Sequence, residues 1–375
     1  MKHFFSLLLL LVGSMSAFAQ VVNIPDAKFR EALLYSDVVE LYTNPGVFQP
    51  IDLNNDSLIQ ADEAANVKSL LIPVQYSIQS IEGISFFQNL QEIEIQLNSL
   101  DSVNLGSNKR LKKVKLISCN LNKINLIGID SIIDLDLGSN RLTSIQVNHL
   151  KDLENLRLYA NLITSIDINS NLKIKKINCF NTKLQSLNFS NLDNLTDIDA
   201  SFCNLQSIGL QNLPALVNLS ITNNLTLKSL EVKNLPSLKL LICSQSGIEN
   251  LKVSNLPKLE RLYCGYNKLQ SLDCSGVPNI IILNCKVNKI NNLKVNICKD
   301  LEWLDCSDNK LLTLNIDSLI NLTQLNCSEN FMLSPNLTNN ANLRSLYMEN
   351  NALTEINTTN NLDLERLVLR ACSGI

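Results

Sequence analysis

From Leu90 onward the chain repeats one rhythm: an aliphatic start, a second aliphatic residue three positions later, a third apolar residue two further on, and polar residues between them. The starts are Leu90, Leu111, Ile132, Leu153, Ile174, Leu195, Leu216, Leu238, Leu259, Ile280, Leu301, Leu322, Leu343 and Leu364. Every step is 21 residues except one of 22, between Leu216 and Leu238. Apolar and polar residues alternate around the second and third apolar positions, which predicts a short strand with its leucines facing inward. One such strand per repeat stacks into a parallel sheet along one face of a coil.

Three positions after the strand's last inward residue comes a polar column. Asn98, Asn140, Asn161, Asn224, Asn267, Asn288, Asn309, Asn330 and Asn351 occupy it in nine coils, Cys119, Cys203 and Cys372 in three, and Thr182 and Ser246 in the last two. A buried amide there would satisfy backbone groups left open as the chain turns away from the strand. The return half of each coil carries a weaker apolar pattern, such as Leu272 and Cys274, and is too short for a long helix.

The pattern L-x-x-L-x-L-x-x-N-x-L resembles the leucine-rich repeat family, in the short-repeat form of secreted bacterial proteins of the internalin type. The resemblance covers residues 67–375 and implies an α/β solenoid with a parallel sheet on its concave face, an irregular or extended convex side and a small helical N-terminal cap. It also implies a scaffold that binds protein or glycan partners, although a fold does not fix a function. The organisation expected is a signal peptide over 1–19, a cap over 20–66, and repeats over 67–375: an irregular first coil, then about fourteen copies, the last incomplete.

The front end adds two features. The stretch "MKHFFSLLLLLVGSMSAFAQ" has a basic start at Lys2, an apolar run too short to span a bilayer, and small residues at Ala17 and Ala19, which predicts a signal peptide cleaved before Gln20. After it, Pro25 and Asp26 open a helix on which Phe29 and Leu33 share a face, a lid for the apolar end of the coil. Within the cap, "DLNNDSLIQADE" has the spacing of a twelve-residue EF-hand calcium loop: Asp52, Asn54, Asp56, the Leu58 carbonyl, Gln60 and Glu63 as ligands, with Ile59 as the apolar anchor. It departs at Ser57, where the sharp turn ordinarily uses glycine. The competing reading is an Asn/Asp-rich turn without an ion, so a structural calcium ion is the one cofactor expected.

Composition narrows the function. Apolar residues make up 45% and aromatics 5%, which describes an aliphatic core. A net charge of −3 with no basic run argues against nucleic acid, and no later stretch is apolar enough for membrane insertion. With Cys119 the first of eleven cysteines, none stands at the cleavage point to carry a lipid, so secretion or display at the cell surface is expected.

Candidate catalytic chemistry gives way to structural readings. Cys179, Cys243, Cys264, Cys285, Cys306 and Cys327 fall in the strand's last inward position, where a free thiol acts as a small apolar group. No CxxC pair occurs and His149 is the one histidine beyond the leader, which weakens zinc and hydrolase readings. The pairs Asp134/Asp136 and Asp197/Asp199 suggest general acid and base, but successive coils read Glu92/Glu94, Lys113/Lys115, Asp134/Asp136 and Asn155/Arg157, a charge ladder across strands. The chain is therefore read as a non-enzyme.

What stands out on the outward columns is Arg261, Tyr263, Tyr266, Trp303, Asp305 and Tyr347, including the chain's one tryptophan. Exposed aromatics on a sheet suit a protein hot spot or a sugar platform. A secreted or surface protein that binds a protein or glycan through this face is the leading reading. The rival is a structural spacer in a longer surface protein, favoured by the ending "LVLRACSGI", midway through a coil without a polar cap.

Overall fold

The computed structural model describes residues 20–73 and 76–372. The expected signal peptide over 1–19 lies outside the described residues. Fourteen short parallel strands, from Glu92–Gln96 to Arg366–Val368, stack one per coil and form most of a 17-stranded sheet. Their register is the one the repeat predicts: Arg261, Leu262 and Tyr263 lie opposite Ile282, Leu283 and Asn284 in the next coil. The inward residues Leu262, Cys264, Leu283 and Cys285 are fully buried, and the same columns build one continuous core along the solenoid.

Each strand ends in the same sharp turn. Fourteen residues in identical positions, from Leu97 through Tyr266 and Val287 to Ala371, take left-handed φ values of 52–58°. Such a conformation costs a non-glycine residue about 1–2 kcal/mol, so the turn must be over-determined by its surroundings. Two features do this. The ladder continues through the turn, as where the Tyr266 N–H donates to the Lys286 carbonyl at 2.9 Å. The asparagine that follows then binds five backbone groups: Asn267 Oδ1 accepts from Ser246 and Ile248 N–H, and its Nδ2 donates to the carbonyls of Cys243, Cys264 and Gly265. Where cysteine replaces asparagine, the thiol of Cys119 donates to the carbonyls of Ile95 and Ile117, at 3.3 and 3.4 Å.

A second asparagine column appears on the return side. Asn108, Asn171, Asn340 and Asn361 stand where other coils carry leucine, isoleucine, valine or Cys298. Asn171 Nδ2 donates to the Val147 and Leu150 carbonyls, both at 2.8 Å. The return side is otherwise extended, with four two-stranded parallel sheets, a 3₁₀ turn at Ile84–Phe86 in the first coil, and no α-helix among the described residues.

The cap differs from a purely helical lid. Helix α1, Ala27–Tyr35, is opened by Asp26 and buries Phe29, Ala32, Leu33 and Leu34. Strands β1, Val39–Leu41, and β2, Asn44–Gln49, form an antiparallel hairpin, and β1 pairs with β3, Val67–Ile72, which begins the parallel array. The cap thus covers the first strand of the parallel array with an antiparallel hairpin as well as closing the apolar core. Asp26 also ties helix to array, since its second carboxylate oxygen accepts from the Gln79 and Ser80 N–H groups. Burial opposes ionisation of Asp26, but its four backbone donors prevail and hold its carboxyl below the usual range. Gly83 lets the chains approach: a side chain there would meet Ile24 Cδ1 at 2.4 Å. Among the described residues, no helix is long and apolar enough to cross a membrane.

Candidate functional site

The outward face of the long sheet is built from the residues between the buried leucines, and its two halves are filled differently. Near the cap, charges on adjacent strands satisfy each other. Lys113 lies 3.7 Å from Glu92, Lys115 3.2 Å from Glu94, and Arg157 2.6 Å from Asp134. Asp136 is buried beside this group, which raises its carboxyl pKa although the Gly138 N–H and Arg157 act against burial. The Tyr159 ring lies over Gly138, where a Cβ would sit 2.1 Å from the ring. Asp134 and Asp197 are therefore occupied across strands, by Arg157 and Asn218, while Asp136 and Asp199 accept the N–H groups of Gly138 and Ser201 two residues along. His149 is apart from them on the return side, with Nε2 at 3.0 Å from the Leu126 carbonyl.

Farther along, apolar side chains enter the outward columns among polar ones. Register places Leu240, Arg261, Ile282, Trp303 and Gln324 side by side on consecutive strands, with Ile242, Tyr263, Asn284, Asp305 and Asn326 in the parallel row. Tyr263, Ile282, Glu302, Trp303, Thr323 and Gln324 line an open hollow of about 360 Å³. Arg261, Tyr263 and Trp303, marked out from sequence, thus share one surface. Leu240, Ile242 and Ile282 belong to it too. Their signal was in the sequence, because they fill outward positions that hold Glu, Lys or Asp in the early coils.

The other three expected residues take different places. Tyr266 is 48% exposed at the turn, with Lys286 Nζ 5.6 Å from its ring centroid. Asp305 is only 5% exposed; it accepts from the Ser307 hydroxyl at 2.6 Å and lies 3.8 Å from Lys286 Nζ, so it braces neighbouring side chains. Tyr347 stands two strands beyond Trp303, and its hydroxyl accepts from Arg366 at 3.1 Å. The early aromatics Phe180 and Phe202 pack on each other, with ring centroids 5.1 Å apart.

The cysteines point inward as their column predicts. Ten of the eleven are buried free thiols, and Cys372 is partly buried. Burial pushes Cys243 and Cys327 up to about 12, far from a reactive thiolate. A hollow of about 710 Å³ lies elsewhere, between the first coil and the return strands, and is lined mainly by hydroxyls and amides such as Ser102, Asn104, Asn122 and Asn125.

In the cap, Asp52, Asn54, Asp56, Leu58, Gln60 and Glu63 gather in one loop. Ser57 takes the turn ordinarily given to glycine, with φ 63°. The loop's carboxylates accept its backbone N–H groups: Asp52 from Asp56 and Ser57, Asp56 from Leu58, and Glu63 from Leu53 and Gln60. Gln60 Nε2 donates to Asp56 at 2.6 Å, while its buried Oε1 has no partner among the described residues. Burial, with Asp52 and Asp56 adding repulsion, raises the Glu63 carboxyl despite its two backbone donors. Among the described residues no lysine or arginine pairs with these carboxylates.

No protein-family model and no curated protein matches the sequence. Solved structures do resemble it. A leucine-rich repeat protein of Leptospira interrogans aligns with a TM-score of 0.57 at 21% identity, over 82% of this chain and 85% of that one. An internalin of Listeria monocytogenes aligns with a TM-score of 0.52 at 17% identity, over 94% and 98%. A chain of the LRIM1/APL1C complex gives 0.64 at 17% identity, over 78% of this chain and 59% of that one. At these identities the likeness is one of architecture, and it agrees with the strand register and the asparagine column: the chain has the leucine-rich repeat fold.

Proposed function

We propose that this protein is a non-catalytic binding protein that recognises a protein or glycan partner through the outward face of its later coils. The observation that carries this is the cluster of Leu240, Ile242, Arg261, Tyr263, Ile282 and Trp303 on a sheet whose four strands from Glu92–Gln96 through Asn155–Arg157 carry mutually paired charges. Leu240, Ile242, Tyr263, Ile282 and Trp303 are each half-buried on this face beside the exposed Arg261; apolar side chains grouped on an accessible face mark contact surfaces, and Trp, Tyr and Arg are the types that dominate them. That a similar fold occurs in the LRIM1/APL1C complex agrees with a protein partner. The signal peptide expected over 1–19 would place this binding outside the cell or at its surface. The test pairs Tyr263→Ala with Trp303→Ala and measures binding to an extracellular-protein panel and a polysaccharide array. Loss of a wild-type interaction is expected, and unchanged binding would remove the proposal's support.

The loop Asp52 to Glu63 supports a second proposal, that it holds a calcium ion as a structural clamp. Asp52, Asn54, Asp56, Gln60 and Glu63 supply hard oxygen donors and Leu58 a carbonyl, and the orphaned Gln60 Oε1 is a buried acceptor wanting a cation or donor. Bound there, the ion would neutralise three crowded carboxylates and fix the loop against helix α2, Ala61–Asn66. Thermal melts with calcium and with chelator should differ for the wild type and coincide for Glu63→Gln; coincident wild-type melts would rule the clamp out.

A further inference from the structure

We infer that the surface around Arg261 selects a protein segment that presents a carboxylate side chain between apolar side chains. This rests on the reading that the later outward face is a binding surface, and it names the partner's chemistry there.

Arg261 differs from the other cations of these columns. Lys113, Lys115, Arg157, Lys176, Lys286 and Arg370 each lie within 4.0 Å of a carboxylate, and Arg366 donates to the Tyr347 hydroxyl. Among the described residues Arg261 has neither partner. Its strand neighbours explain this, since Leu240 stands on one side and Ile282 on the other, with Tyr263 two residues along its own strand. A guanidinium fork framed by apolar side chains can hold a carboxylate bidentately, and contact that excludes water strengthens the pair.

The frame also discriminates among partners. Leu240, Ile242 and Ile282 have no polar atom to offer a sugar hydroxyl, whereas each gains from covering by an apolar side chain. A protein segment meets both demands at once, so a glycan becomes the losing alternative. Two strands from Arg261, the exposed Glu302 edges the hollow beside Trp303 and makes no salt bridge among the described residues. It gives the site polarity: the acid belongs at the Arg261 end, and an amide, hydroxyl or cation at the Glu302 end.

The experiment is selection from a peptide-display library on the intact chain, repeated with Arg261→Met and Arg261→Glu. Wild type should enrich Asp or Glu flanked by apolar residues, and changing that acid to its amide should weaken the selected peptide about tenfold or more. Arg261→Met should keep the apolar preference and abolish the acid-to-amide difference, while Arg261→Glu should enrich Lys or Arg. No acid enrichment, or an acid-to-amide difference that persists in Arg261→Met, overturns the inference. If polysaccharides bind in a Trp303-dependent way and peptides do not, the face is a binding site and this partner assignment is wrong. If the selected peptides bind Trp303→Ala as tightly as wild type, the face assignment falls with it.

Discussion

The two halves of the long sheet share one backbone plan and differ in what fills the outward positions. Strands Glu92–Gln96 through Asn155–Arg157 carry charges that find their opposites one strand away. Strands Leu240–Ile242 through Trp303–Asp305 carry aliphatic and aromatic side chains around a cation without a carboxylate. A surface that satisfies its own charges gains register and little reason to bind. A surface left unsatisfied gains a reason to bind and gives up internal support. The repeat makes this contrast legible because the turn recurs in every coil and the asparagine column in most of them, in both halves.

That constancy can be tested first, where the largest effect is expected. Asn140 and Asn267 each bind two N–H groups and three carbonyls in equivalent places, one in each half. Replacing either with alanine strands several buried backbone groups and should cost about 3 kcal/mol or more in urea unfolding. Similar losses are predicted at both sites; a loss confined to one would show that the halves are not built alike. The next effect separates them. Trp303→Ala should weaken partner binding by about 2 kcal/mol, roughly thirtyfold, with a much smaller change in stability.

Smaller effects belong to the charged half. Lys115→Glu sets a third carboxylate between Glu94 and Asp136 and should cost about 1 kcal/mol, less at high salt, with partner affinity unchanged. Glu40 on β1 sharpens the difference through pH. Its carboxylate is held down at about 2 by the Lys68 ammonium, the Gly46 N–H and the Ser69 hydroxyl, against roughly 4.3 in an unfolded chain. Because the folded value is the lower one, its stabilisation is complete above the unfolded value and fades as pH falls toward 2. Hydrogen exchange should therefore show the cap and first strands loosening as pH falls toward 2, and Glu40→Gln should flatten that dependence.

Much of this was legible in the sequence because a two-residue alternation held in fixed register leaves few other structures. Leu90 to Leu364 gave the strands, and the asparagine column gave the turns. The left-handed residue before each asparagine was not legible, because Leu97, Tyr266 and Val287 carry no propensity for it and tertiary contacts impose it. The second column was too sparse to read, with Asn108, Asn171, Asn340 and Asn361 scattered among aliphatic equivalents. The hairpin of β1 and β2 hid because Pro45 and Gly46 break its alternation. At the site, aromatics drew the eye to Tyr263 and Trp303, while "LKLLIC" made Leu240 and Ile242 look like core. Asp305 is exposed by column but buried by Lys286 and Ser307, which depends on side-chain packing between coils.

Binding through the later outward face requires a bound partner to cover it. Covalent footprinting of the chain with and without a captured partner addresses it most directly, because Tyr263 and Trp303 are themselves reactive probes of that face. Protection should concentrate on Leu240–Trp303 and leave the strands from Glu92 to Arg157 as reactive as in the free protein. Protection centred on the charged strands or on the return side, with Trp303 unchanged, would contradict it.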